Sequence, residues 1–348
     1  MSPAALQSIR LFPFENYWWF YLGFTLLVIG LLALDLGVFH RKAHAVGMKE
    51  AGVWVCIWVS LAMLFNFGLY HYSMWRFPQV EELMAIPGFD PLVAAKQVAL
   101  EFLTGYILEE SLSVDNMFVF VVVFRYFAIP RELQHRVLFF GILGALIFRG
   151  AFIALGSVLI QYQWMLILFG VFLIVTGAKM MFSSDEEVHP EKNFIIRLFR
   201  KYVPVTPRLH GQKFFVIEDG QRMATPLLVC LLFLEMTDIL FAVDSVPAIF
   251  AVTREPLIVY TSNVFAILGL RSLFFLLAGA VHLFHMLKYG LSIVLIFVGL
   301  KMVWLNKLYG GHFPITLSLG IILGVIAASI VLSLIFPKKA PVEDNGGV

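Results

Sequence analysis

Apolar runs of about the 17 to 25 residues that a helix needs to cross a bilayer recur near 17–38, 52–70, 97–124, 137–160, 164–182, 225–252, 257–283, 287–304 and 314–336. This spacing predicts an all-α polytopic membrane protein with nine transmembrane helices. Two runs break the apolar pattern. The third, EFLTGYILEESLSVDNMFVFVVVF from Glu101 to Phe124, carries Glu101, Glu109, Glu110 and Asp115. The sixth, LLFLEMTDILFAVDSVPAIF from Leu231 to Phe250, carries Glu235, Asp238 and Asp244. A charged residue at the centre of a spanning helix costs about 2.5 to 3.5 kcal/mol on insertion scales, so these residues are where function is sought.

Composition agrees: of 348 residues, 60% are hydrophobic and 14% charged, with mean hydropathy +0.88. Those values exclude a soluble domain. A net charge of +2 gives no signal for nucleic acid. Cys56 and Cys230 lie within apolar runs and read as small buried residues without a disulfide or metal role. The first run begins near Tyr17, is too long for a signal-peptide core, and should stay on the mature protein. Asp35, His282 and His285 read as helix-end residues rather than ligands.

Alternate connections differ in Lys and Arg: three in 39–51, three in 125–136, seven in 183–224, one in 284–290 and two in the tail, sixteen in all, against six on the other side. The positive-inside rule then puts the N-terminus outside and the C-terminus in the cytoplasm. The long loop 183–224 opens with SSDEEVHPEK and continues as NFIIRLFRKYV, basic on one helical face and apolar on the other, an interfacial helix beside anionic lipid. The tail KKAPVEDNGGV is expected to be disordered.

An internal repeat accounts for the two acidic runs. Gly177-Ala178-Lys179-Met180 recurs as Gly299-Leu300-Lys301-Met302, and Arg149 recurs as Arg271, both 122 residues on. Ser113-Val114-Asp115-Asn116 is matched by Ala242-Val243-Asp244-Ser245, 129 residues on. Three landmarks in one order mark a repeat. Each copy has three spans, an odd number, so the second would enter the membrane from the opposite side, as in secondary transporters with a midplane site. The organisation expected is a two-helix segment (1–96), a first repeat (97–182), a cytoplasmic linker (183–224), an inverted second repeat (225–304), and a last helix with its tail (305–348).

At about 100° per residue, Glu109 and Asp115 cannot share one face, nor can Glu235 and Asp244. Broken or unwound helices are therefore expected at SVDN and AVDSVP, with freed carbonyls as further ligands. Carboxylates with Asn and Ser oxygens form a hard donor set suited to Mg, Ca or Mn. The competing reading is that Asp115 and Asp244 only neutralise Arg149 and Arg271 and bind nothing. Met117 and Met236 adjoin the acids, and core packing outweighs a thioether ligand for both. Glu101 and Glu110 read as reaching an outer interface or vestibule. No Walker A sequence, Gly-rich nucleotide loop or nucleophile elbow occurs, so an enzyme or ATP-driven pump has no support.

LTGYILEESLSVDN, LEMTDILFAVDSVPAIFAVT, TSNVFAILGLRSLFFLL and MLKYGLSIVLIFVGLKM closely resemble the TerC/Alx family of bacterial membrane proteins, over about Trp18 to Phe336. The resemblance implies metal-ion homeostasis at the bacterial inner membrane, chiefly Mn(II) export, with an older association with tellurium resistance and alkaline response. It further implies that Glu109, Asp115, Asn116, Glu235, Asp238 and Asp244 are the conserved polar positions of the transport path. The metal would be cargo and no resident cofactor is expected. Two function classes stay open: a secondary transporter of divalent cations, and a non-transporting membrane scaffold in metal or tellurite stress response. The partners expected are the cation and the lipid bilayer.

Overall fold

The computed structural model describes residues 10–34, 47–182, 194–218, 220–278, 285–309 and 313–336. Asp35, His282, the acidic opening of the long loop and the tail lie outside the described residues. Each apolar run coincides with a helix: α1 (Phe14–Leu34), α2 (Met48–Arg76), α3 (Pro91–Tyr126), α4 (Arg131–Leu159), α5 (Gln163–Phe182), α6 (Pro226–Phe250), α7 (Pro256–Leu277), α8 (Leu287–Leu300) and α9 (Ile315–Ile335). A π-helical turn, Lys301–Leu305, prolongs α8. Among the described residues, eight of these helices are long and apolar enough to cross a membrane. The exception is α3, which has 36 residues, about 54 Å of helix, but is interrupted by its acids.

Proline punctuates the chain where helices begin. Pro91, Pro226 and Pro256 stand in the first turns of α3, α6 and α7, where a missing N–H costs nothing. Ahead of Pro91, Asp90 Oδ1 accepts from the Leu92 and Val93 amides at 2.9 and 3.3 Å and caps α3. The other end of α3 stops sharply: Ala128 adopts φ 48° and the Ile129 amide reaches back to the Phe124 carbonyl at 2.9 Å. This Schellman turn, followed by Pro130, reverses the chain into α4.

Helix α7 is the axis of the bundle, with 89% of its apolar window buried against 17% for α2. Around it α3 packs on α7, α4 packs on α6, and α5 packs on α8, while α2 covers α3 and α7, and α9 covers α8. The α5–α8 contact is reciprocal in atomic detail. A Cβ on Gly177 would meet Ile296 Cγ1 at 2.9 Å and Ile296 N at 3.1 Å; a Cβ on Gly299 would meet Ile174 Cγ1 at 2.8 Å and Ile174 N at 3.0 Å. Gly177 and Gly299, like Ile174 and Ile296, are 122 residues apart. The outward faces stay apolar, as Trp18, Leu22 and Leu26 on α1 show, because their solvent is lipid.

Three expectations need correction. Residues 113–116 and 242–247 are continuous helix in α3 and α6 rather than unwound. Pro247 lies inside α6, where its ring deprives the Val243 carbonyl of a partner; its buried neighbours Ala242, Val246 and Ile249 hold the helix in place by packing. Cys56 is exposed on α2, whereas Cys230 is buried as expected. The all-α expectation misses a hairpin: after the short helix Phe194–Tyr202, strands β1 (Phe215–Glu218) and β2 (Gln221–Ala224) pair antiparallel around Gly220, at φ 75°. The Asp-Gly pair at 219–220 was the available sequence signal for that hairpin.

Candidate functional site

Four helices bring their polar residues to one buried point. Arg149 on α4, 2% exposed, forms an ion pair through Nη1 with Glu109 on α3, which is fully buried. Its other edge grips Asp238 on α6, Nη2 to Oδ1 at 3.1 Å and Nε to Oδ2 at 3.4 Å, the bidentate geometry that a planar guanidinium favours. Asn263 on α7 accepts from Nη1 at 3.2 Å, and its own amide donates to the Val259 carbonyl at 3.1 Å, fixing its orientation. Ser113 lies one turn beyond Glu109, with its hydroxyl 3.4 Å from Oε1. Glu109 and Asp238 are separated by 129 residues, the offset that relates Asp115 to Asp244. Two acids at the sequence offset of the expected repeat thus share one guanidinium.

Beside this cluster is a cavity of about 20 Å³ lined by Glu235, Asp238, Arg271, Phe120 and Gly141. That is room for one water-sized guest. The Glu235 carboxyl lies directly on the backbone of Gly144 in α4, where any side chain would collide with it. Two buried carboxyl oxygens here, Glu109 Oε2 and Glu235 Oε2, have no hydrogen-bond donor. Unpaired oxygen lone pairs in a dry interior are costly unless a cation or water completes them. Because the Gly144 contact is with the mobile end of a side chain, Gly144→Ala should leave the fold intact and displace Glu235. If the carboxyl groups here hold a cation, the expected outcome is a roughly 10- to 100-fold loss of Mn(II) affinity with little change in melting temperature, measured by Mn(II) titration and thermal unfolding of the purified protein.

The six residues singled out from the sequence do not all converge. Glu109 and Asp238 meet at Arg149, and Glu235 lines the adjoining cavity with Asp238. Asn116 is buried on α3. Asp244 lies beside Thr176 on α5 instead, six residues beyond Asp238 and about 9 Å along α6. The side chain of Asp115 lies outside the described residues; its backbone stands six residues beyond Glu109 on α3, again about 9 Å. Among the described residues no three of His, Cys, Asp and Glu converge as a metal cluster. Arg149 takes Glu109 and Asp238 rather than Asp115 or Asp244. Asn263 escaped notice because a lone Asn in an apolar helix carries no distinguishing pattern. Met117 is fully buried among Phe120, Val123 and Leu227, a packing role.

Glu101 is buried and Glu110 is half-buried. Glu101, 3% exposed, accepts from Gln97 at 2.9 Å and from Thr253 at 2.5 Å. Thr253 also lines a cavity of about 350 Å³ with Gln161, Met302 and Asn306. Next to it, the Glu255 carboxylate accepts from the Leu11 and Phe12 amides at 2.6 and 3.3 Å, tying down the N-terminal segment. Burial pushes the Glu255 carboxyl up to about 7, against those amides and with Glu101 adding to the rise. Glu110 faces Gly269 on α7.

Comparison with known proteins agrees with this architecture. Residues 94–340 match the integral membrane protein TerC family. A Myxococcus xanthus protein named "Uncharacterized membrane protein STKORF319" is 50% identical over 92% of this chain and 94% of its own. Two proteins named "Putative membrane-bound redox modulator Alx" are also similar. The one from Photorhabdus laumondii is 45% identical over 93% of this chain and 97% of its own; that from Escherichia coli K12 is 43% identical over 89% and 92%. No solved structure matches. With the matched span covering more than half of its length and the relatives nearly all of it, the chain belongs to the TerC family of integral membrane proteins.

Proposed function

We propose that the protein is a secondary transporter that exports a divalent cation, Mn(II) in the first place, through the interface of two inverted three-helix repeats. The observation that carries this reading is the sharing of Arg149 by Glu109 and Asp238, equivalent residues of the two copies, beside a cavity of one-ion size and two carboxyl oxygens without donors. The reciprocal Gly177–Ile296 and Gly299–Ile174 contacts support a two-fold relation between the copies. On this reading α3 is a ninth span, and its acids are tolerated because they face the bundle interior rather than lipid.

The transport path then has three stations. Asp115 with Asn116 lies towards the cytoplasm, the Glu109–Asp238–Glu235 cluster stands at the midplane, and Asp244 lies towards the outside. The outer stations are each about 9 Å from the centre along their helices. Glu109, Glu235 and Asp238 set three carboxyl groups against the guanidiniums of Arg149 and Arg271, which leaves an acidic surplus for a cation. Arg149 acts as a tethered positive charge that neutralises Glu109 and Asp238 between cargo ions and gives way when one arrives. Oxygen ligands without Cys or His disfavour a tight Zn or Cu site, and Mg, which dehydrates reluctantly, suits a dry cavity less well than Mn.

The name of the relatives, redox modulator, has less to rest on in this chain: its two cysteines, Cys56 and Cys230, are both free, one exposed and one buried. Cation binding is tested by titrating the purified protein with Mn(II) and following its electron paramagnetic resonance spectrum. One site is expected, lost in Asp238→Asn; undiminished binding in that variant contradicts the reading. The orientation has a separate test. A cysteine placed at Lys213 should resist a membrane-impermeant thiol reagent in intact cells, while one at Glu82 should react; equal labelling would overturn the inverted topology.

A further inference from the structure

We propose that the 194–224 loop is an anionic-phospholipid-binding surface, in which the β1–β2 hairpin inserts Phe215 and Ile217 among headgroups that Arg222 and its basic neighbours neutralise. This inference rests only on the chain spanning a membrane, not on what it transports.

Strand alternation puts Phe215 and Ile217 on one face of β1, and they are 41% and 78% exposed. An isoleucine that open to solvent on a two-stranded hairpin gains nothing from the fold. Arg222, the cross-strand partner of Ile217, lies with its guanidinium 4.3 Å from the centre of the Phe215 ring. The face is therefore apolar with a cation at its edge, a composition suited to the boundary between acyl chains and phosphate. The short helix Phe194–Tyr202 adds Tyr202, 73% exposed, with Lys201 beside its ring.

Charge complementarity selects the occupant. Arg197, Lys201, Arg208, Lys213 and Arg222 are all exposed, whereas Glu218, the one acid among the described residues of this loop, is engaged by His210 at 2.6 Å. Five exposed cations beside exposed aromatic and aliphatic groups match an anionic headgroup layer.

The loop is also tied to the ends of α4 and α6. Thr225, the residue before α6, donates its amide to the Phe214 carbonyl at 2.9 Å and its hydroxyl to the Lys213 carbonyl at 2.8 Å. The Thr206 amide donates to Ala224 O at 2.9 Å, and the Ala224 amide donates to Pro204 O at 2.8 Å. From α4, Arg136 stacks against Phe214 and donates to Gln212 at 3.1 Å. With four-residue strands, the hairpin tip lies within about 13 Å of the start of α6, so its exposed face is positioned at the interface rather than in the cytosol.

The test uses the full-length protein with Cys56 and Cys230 replaced by Ala, and Ile217→Cys labelled with an environment-sensitive fluorophore, in nanodiscs containing acyl-brominated lipid. Strong quenching is expected with phosphatidylglycerol present and little with phosphatidylcholine alone. Arg208→Gln/Lys213→Gln/Arg222→Gln, which alters exposed side chains only, should weaken association with the anionic surface about a hundredfold, near fivefold per charge, and abolish most of the quenching. A fluorophore that stays water-exposed in both lipids overturns the proposal. So does quenching indifferent to lipid charge, or shielding that follows protein density instead, which would assign the face to a second copy of the chain.

Discussion

Asp238→Asn is expected to lower Mn(II) efflux from proteoliposomes roughly a hundredfold while the protein still assembles. Asn keeps the shape of Asp and an oxygen for the Arg149 guanidinium. Arg149 is not orphaned, because Glu109 still neutralises it. The full penalty of about 3 to 5 kcal/mol for breaking a buried pair is thereby avoided, and only the surplus negative charge that draws a cation disappears. Arg149→Leu should act in the opposite way, leaving Glu109 and Asp238 buried without a counter-charge and reducing accumulation of the protein. Transport in Asp238→Asn equal to that of the parent protein, per folded molecule, would show that the acidic cluster is a structural ion pair and no more.

The second large effect concerns the α5–α8 crossing. Gly299→Val should prevent accumulation of folded protein, since its Cβ would come 3.0 Å from the Ile174 backbone nitrogen and 2.8 Å from Ile174 Cγ1. Overpacking commonly costs about 1 to 3 kcal/mol, and here the obstacle includes helix backbone that cannot rotate away. Gly177→Val should fail to the same degree, because Ile296 meets it in the same way. Gly324→Val on α9 is the control: open space surrounds that position, so stability should be unchanged. Melting temperature and detergent-solubilised yield measure all three.

Much of the architecture was readable in the chain because lipid leaves few options. A continuous apolar run must become a helix, and the run at 164–182 is indeed Gln163–Phe182. The offset of 122 residues seen in Lys179 and Lys301 reappears in the contacts of Gly177 and Gly299. The partners of Arg149 were not readable. Helical periodicity says which residues of one helix share a face, but nothing about the depth at which two helices align. The competing reading pairs Asp115 and Asp244 with the arginines, whereas Glu109 and Asp238, at the same spacing, sit level with the Arg149 guanidinium. The expected unwinding at Asp115 and Asp244 came from requiring all acids to meet at one point. Continuous helices instead leave Asp244 about 9 Å away beside Thr176, and the acids are spread along α3 and α6 rather than gathered.

Cation flux through the purified protein tests the central claim most directly. Reconstituted alone into liposomes, the protein should move Mn(II) down an imposed gradient. A tenfold excess of Ca(II) should inhibit that flux more than Mg(II) does, and Asp238→Asn should reduce it roughly a hundredfold. Absence of Mn(II) flux from a folded, correctly inserted protein would contradict the account and favour a membrane role without transport.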